Sequence, residues 1–141
     1  MSRIFWDTNL FIYLLEGQGP LADRVYHLRQ RMNERGDQLC TSALTLGEIL
    51  VKPLREGRAD LAESYEGLLS SAAVLLVPFD RACAKLYAEL RRDPTIRAPD
   101  GIQLACAAHA KCDMLITNDD HLSRKVVPGI QFIVSLEGAP L

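Results

Sequence analysis

Residues Ile4 to Leu15 would form an unbroken apolar run but for the triplet Asp7-Thr8-Asn9 at its centre. An ionised carboxylate is almost never buried without a partner, so the chain must bring Asp7 to a boundary: the end of a core strand, a helix terminus or a cation. Ser2 to Trp6 reads as a short buried strand. Thr8 or Asn9 can cap a helical turn over Leu10 to Leu15, which Gly17, Gly19 and Pro20 then stop. Asp7 is therefore expected at a strand-to-helix junction.

The same alternation continues to the end of the chain. Leu21, Val25, Leu28 and Met32 lie on one face of a helix that Gly36 ends, and Gln38 to Thr41 reads as a second strand. Ser42 caps a helix carrying Leu44, Glu48, Ile49 and Val51, which Pro53 should end or kink. A helix from Arg58 leads into strand Val74 to Val77, and Asp80 caps the next helix. After a polar loop, Arg91 to Arg97, Pro99 opens a helix from about Asp100 to Lys111 that is apolar nearly all round and so central. Met114 to Thr117 is a fourth strand, Asp119 to Lys125 a short helix and Ile130 to Val134 a fifth strand. Strands alternating with helices imply an α/β fold: three α/β/α layers around a mostly parallel central sheet of four to five strands. No repeat, linker or low-complexity tract divides residues 1 to 141, so a single domain is expected.

Composition narrows the function classes. Apolar residues make up 48% and charged residues 24%, an ordinary globular mix that excludes a disordered chain. No apolar run approaches the roughly 20 residues needed to cross a bilayer, and the N-terminus has no basic, apolar and small-residue segments in the order of a secretion signal. A cytoplasmic protein is expected. Cys40, Cys83, Cys106 and Cys112 show no C-x-x-C pair and no His at ligand spacing, so neither a zinc site nor a redox motif is expected, and they read as reduced, mostly buried, small apolar residues. The net charge of -2 is no basic footprint, although twelve of the sixteen cations are arginine, the residue suited to phosphate.

In parallel sheets the site lies beyond the carboxyl ends of the strands. Asp7 ends the first strand, Asp119 and Asp120 follow the fourth, Glu48 lies one to two turns into the helix after the second, and Asp100 opens the central helix. Singly, each has an ordinary explanation: an acid in a first helical turn complements the macrodipole, and Glu48 can pair with Lys52 at i,i+4. Jointly, four acids on one rim would repel one another, and a cation would relieve them. An all-oxygen set selects a hard ion, Mg²⁺ or Mn²⁺, over zinc. Such an ion suits phosphodiester hydrolysis without a side-chain nucleophile.

These residues carry a resemblance. Asp7-Thr8-Asn9 after an apolar strand, Glu48 in Ser42-x-x-Thr45-x-x-x-Ile49, Arg97-x-x-Asp100 before an Ala-rich helix, and Thr117-Asn118-Asp119 after a strand together resemble the PIN-domain ribonucleases, and within them the VapC-type toxins of toxin-antitoxin modules. The resemblance spans nearly the whole chain. It implies Mg²⁺- or Mn²⁺-dependent cleavage of RNA, with Asp7, Glu48, Asp100 and Asp119 as metal-binding catalytic acids. Thr8, Asn9 or Thr117 would orient a carboxylate or phosphate, and Asp120 is the ambiguous neighbour of Asp119; apart from the resemblance, Arg97 reads either as a contact to phosphate or a metal-bound water or as a solvated loop arginine. It further implies a homodimer and a small antitoxin protein as partner. Two alternatives stand beside it: a non-catalytic RNA- or protein-binding module whose acids are only caps, and an aspartyl-phosphate enzyme built on Asp7. The second is disfavoured by Asn9, where a second Asp is usual. His27, His109 and His121 read as core-edge or surface residues, and Trp6 and Tyr13 as packing residues.

Overall fold

A computed structural model describes residues 1–141. Five strands, β1 (Arg3–Trp6), β2 (Gln38–Ser42), β3 (Val74–Val77), β4 (Met114–Thr117) and β5 (Phe132–Ser135), alternate with helices. These are α1 (Thr8–Glu16), α2 (Pro20–Arg35), α3 (Ala43–Arg55), α4 (Ala59–Leu69), α5 (Arg81–Leu90), α6 (Ala98–His109) and α7 (Asp120–Ser123). The sheet is parallel throughout and ordered β3-β2-β1-β4-β5. From β1 the chain moves outward through β2 to β3, then returns to build β4 and β5 on the other side. That reversal opens a crevice beyond the carboxyl ends of β1 and β4.

A parallel strand covered on both faces must be apolar on both, and β1 is. Ile4 and Trp6 face a core with Leu10 and Phe11 of α1, Leu28 of α2, Ile49 of α3 and Tyr65 of α4. Phe5 faces a second core with Cys83 of α5, Leu104 and Ala107 of α6, and Leu122 of α7. Full burial of a side chain of this size stabilises by about 1.5–3 kcal/mol, so β1 is held from both sides. Small residues let α6 lie close to its neighbours: a Cβ on Gly101 would come 3.1 Å from the Tyr87 ring. No helix is long and apolar enough to cross a membrane.

Several local expectations shift. Asp7 itself, and neither Thr8 nor Asn9, is the N-cap of α1. Pro53 lies within α3, which ends two residues later at Arg55. The last strand begins at Phe132, two residues beyond the expected Ile130, because a turn closes with Ile130 N–H donating to the Val127 carbonyl at 3.1 Å and Gly129 takes φ +98°. The helix expected over Asp119 to Lys125 is a single turn, Asp120–Ser123. All four cysteines are free and buried.

Candidate active site

Each acid owes its position to the element it starts or follows. The Asp7 N–H is still in the sheet, donating to the Ile116 carbonyl at 3.0 Å, while its Oδ1 already accepts the Thr8 N–H at 2.8 Å. One residue thus ends β1 and caps α1. Asp119 does the same after β4: its Oδ1 accepts the N–H groups of His121 and Leu122 at 2.9 and 3.3 Å and opens α7. Asp100 stands in the first turn of α6 behind Pro99, where the helix dipole favours an acid. Glu48 projects from α3 one turn after Thr45.

These elements enclose a cavity of about 290 Å³ lined by Asp7, Thr8, Asn9, Glu48, Arg97, Pro99, Asp100, Gln103 and Asp119. The four predicted acids therefore face one pocket, along with Thr8, Asn9 and Arg97. Thr117 stands behind it, donating to Asp7 Oδ2 at 2.8 Å and accepting the Asp119 N–H at 3.1 Å. Asp120 is exposed and does not line the cavity, so Asp119 is the member of the pair that the pocket contains. Glu48 does not pair with Lys52; its Oε1 accepts the Thr8 hydroxyl at 2.6 Å.

Beneath the acids lies a polar layer that the motif reading missed. Gln103 is only 2% exposed, and its Nε2 donates to Thr45 Oγ1 at 2.8 Å and reaches Thr8 Oγ1 at 3.2 Å. Its Oε1 accepts the Ser42 hydroxyl. The Thr41 hydroxyl, 2.9 Å from the Trp6 carbonyl, sits 2.8 Å from Thr45 Oγ1. Buried amides and hydroxyls persist only when satisfied, and here each holds another. Ser42 was expected to cap α3 with its side chain; that hydroxyl is committed to Gln103 instead. The available signal for Gln103 was its place as the one uncharged polar residue within Ile102 to Ala108, three residues after Asp100 and so on the same face.

The electrostatics are those of a crowded anionic pocket. Burial pushes the Asp100 carboxyl up, the nearby Asp7 and Asp119 push it the same way, and Arg97 opposes them. The Arg97 guanidinium reaches Asp100 Oδ2 at 3.3 Å and Asp119 Oδ2 at 3.8 Å from a side chain that is 75% exposed. A solvent-exposed cation of that kind screens only part of the repulsion. The remaining donors are carboxylate, hydroxyl and amide oxygens, a set that fits a hard divalent ion. No three of the acids bring oxygens within 4.8 Å of one another. That spacing suits an ion that keeps several waters and takes only one or two carboxylates directly.

Trp6 is fully buried as expected, and Tyr13 accepts a hydrogen bond from Asn118 at 3.0 Å beside the site. His27, His109 and His121 are exposed and outside the pocket.

Comparison with known proteins agrees with this architecture. The family model described as "PIN domain" matches residues 4–127. Among solved structures, the chain is similar to VapBC2 from Rickettsia felis bound to a DNA fragment from its promoter (18% identity, 94% of this chain and 98% of that one, TM-score 0.74). It is similar also to a toxin-antitoxin complex from Klebsiella pneumoniae (21% identity, 94% and 97% covered, TM-score 0.69). A third neighbour is VapBC-5 from Mycobacterium tuberculosis, of the VapBC family of toxin-antitoxin systems (22% identity, 95% and 99% covered, TM-score 0.62). At these identities the likeness is one of fold. No curated protein sequence matches significantly.

Proposed function

The chain belongs to the PIN-domain family, and we propose that it is a metal-dependent endoribonuclease acting as the toxin of a toxin-antitoxin pair, with Asp7, Glu48, Asp100 and Asp119 as its catalytic, metal-holding acids. The observation that carries this reading is the convergence of those four acids, from the ends of β1 and β4 and from α3 and α6, on one cavity whose only lining residue without a polar side chain is Pro99. A set of helix caps alone has no reason to share a pocket. Two of the four are indeed caps, and in both the carboxylate oxygen not bonded to the helix is left for other partners.

Asp7, Glu48, Asp100 and Asp119 would hold Mg²⁺ or Mn²⁺. When bound, such an ion supplies Lewis-acid charge to a phosphodiester and activates water. The residues around it orient and balance. Thr117 and the Thr8 N–H fix both oxygens of Asp7, and the Thr8 hydroxyl fixes Glu48. Gln103 anchors Thr8 from below. Arg97, exposed at the mouth, offers a planar cation to a backbone phosphate, and the exposed Asn9 offers an amide beside it. Asp120, outside the cavity, has at most a supporting part through the charge of the rim.

As partners we propose an RNA substrate, a second copy of this chain and a small antitoxin protein, the last supported by the similarity to structures of toxin-antitoxin complexes. The test is cleavage of RNA by the purified chain with Mn²⁺ and with chelator. Wild type should cut only with the ion, and Asp7→Asn or Asp100→Asn should lose cleavage and growth arrest while keeping the circular dichroism spectrum. Undiminished cleavage by a folded Asp7→Asn variant would sink the proposal.

A further inference from the structure

Away from the acidic pocket, Asp80, Cys83 and His109 each bring one donor atom to within 4.8 Å of the other two. From this geometry we propose a second metal site, for a divalent transition ion of the zinc type. Asp80 and Cys83 stand at the N-cap and in the first turn of α5, and His109 is the last residue of α6. Asp100 and His109 lie nine residues apart on α6, about 14 Å along its axis, so this site and the acidic pocket are separate.

The three donor atoms are already gathered at one point. Asp80 Oδ1 accepts the Cys83 N–H at 3.0 Å, which fixes the carboxylate, and Oδ2 lies 3.8 Å from His109 Nε2. That separation is too long for a hydrogen bond. It is close to the edge, about 3.4 Å, of a tetrahedron drawn with metal–N and metal–O bonds of about 2.05 Å. The side chains of Asp80 and His109 are 49% and 43% exposed, whereas Cys83 is fully buried at the floor. An ion can thus enter from solvent between the carboxylate and the imidazole and meet the sulfur, whose proton passes to solvent. Without an ion the Cys83 thiol lies 3.5 Å from the Pro78 carbonyl oxygen, beside the Cys106 thiol and against the Asp80 carboxylate, whose contact an ion would replace with its own bonds to both groups.

Donor chemistry sets the ligand class. A thiolate, an imidazole and one carboxylate with the fourth position open to water select zinc over magnesium, the reverse of the all-oxygen pocket. Cys106 stands next to the sulfur, where its S–H can donate to a Cys83 thiolate, an outer partner of the kind that tunes metal sites. In the sequence these residues form two pairs at i,i+3, Asp80-x-x-Cys83 and Cys106-x-x-His109, one at the start of α5 and one at the end of α6. Packing of the two helices joins the pairs. The sequence expectation of no zinc site rests on spacing along the chain, which does not register ligands that two packed helices bring together.

The test is titration of Co²⁺ into the full-length protein. A sulfur-to-cobalt charge-transfer band in the near ultraviolet, with visible bands of tetrahedral intensity, should develop at one equivalent and be displaced by Zn²⁺. Oxygen ligands cannot produce that band, so Asp100→Asn should keep it. Cys83→Ser should abolish it, and His109→Gln should weaken Co²⁺ binding by more than about a hundredfold, beyond the 10–100-fold loss typical of an outer partner. No band in wild type, or a band that survives in folded Cys83→Ser, overturns the proposal. Should Cys83→Ser fail to fold, His109→Gln at the exposed helix end decides: a loss of about a hundredfold or less overturns it and a greater loss upholds it.

Discussion

Replacing Gln103 by leucine keeps most of the side-chain volume and removes every hydrogen bond that its amide makes beneath the acidic pocket. The Ser42 hydroxyl, fully buried, loses its acceptor. Thr45, equally buried, loses the amide at 2.8 Å and keeps only Thr41 at 2.8 Å and the long 3.3 Å contact to Thr8. An orphaned buried hydroxyl costs about 1–3 kcal/mol, and a half-satisfied one less. Gln103→Leu should therefore destabilise by about 2–4 kcal/mol, or roughly 6–12 °C in melting temperature for a chain of this size. Urea unfolding followed by circular dichroism measures it, with an unchanged m-value showing that the unfolded state is the same. A loss below about 0.5 kcal/mol, the level of an ordinary surface change, would refute the idea that this layer supports the site. Gln103→Glu separates volume from charge: it retains an acceptor for Ser42 but brings a carboxylate to where the amide now lies 3.5 Å from Asp7 Oδ1, so its deficit should shrink as pH falls.

Thr117→Val removes the donor to Asp7 Oδ2 and the acceptor of the Asp119 N–H; a loss of about 1–2 kcal/mol in urea unfolding and weaker Mn²⁺ binding by calorimetry are expected. Tyr65, fully buried, donates to Glu16, and burial with that carboxylate holds its hydroxyl well above the usual tyrosine range. Its folded pKa is raised, so the stability it contributes is complete below the unfolded value near 10 and is lost as pH rises beyond it. Tyr65→Phe should cost about 1–2 kcal/mol at neutral pH, with the gap to wild type narrowing in unfolding curves taken above about pH 10. Gly129→Ala should destabilise by more than about 1 kcal/mol, because φ +98° disfavours a side chain and the new Cβ would stand 3.1 Å from the Ala108 carbonyl oxygen; thermal melting checks it.

Hydrophobic periodicity carried the architecture because each strand here is a short apolar run and each longer helix has one apolar face. Val74–Val77 and Met114–Thr117 coincide with their expected bounds. The shifts occur where tertiary pairing decides. Asp7, Thr8 and Asn9 are all capping residues, and which one caps α1 depends on how far β1 stays paired with β4, an alignment that nothing local specifies. The start of β5 is likewise set by pairing of Phe132 with Met114. At the site, the acids were legible because a charge interrupting an apolar run needs a reason. Gln103 was not, since its reason is the set of hydroxyls on β2 and α3 that folding stacks against it. The choice posed in the sequence between cap and site residue dissolves at Asp7 and Asp119, where one carboxylate oxygen serves the helix and the other faces the site's partners.

The position of β1 at the centre of the sheet has a consequence for biosynthesis. Its neighbour β4 arrives 110 residues later, as the span from Asp7 to Thr117 records, so Asp7 waits for all of the intervening chain before its carboxylate is fixed. Contacts that distant in sequence form slowly and only after the intervening chain exists. A nascent chain still threaded through the ribosome, with Asp119 inside the exit tunnel, has no assembled pocket. The four acids can therefore face one another only after Asp119 has left the tunnel, long after Asp7 and Glu48 have emerged, so assembly of the pocket is paced by the arrival of β4.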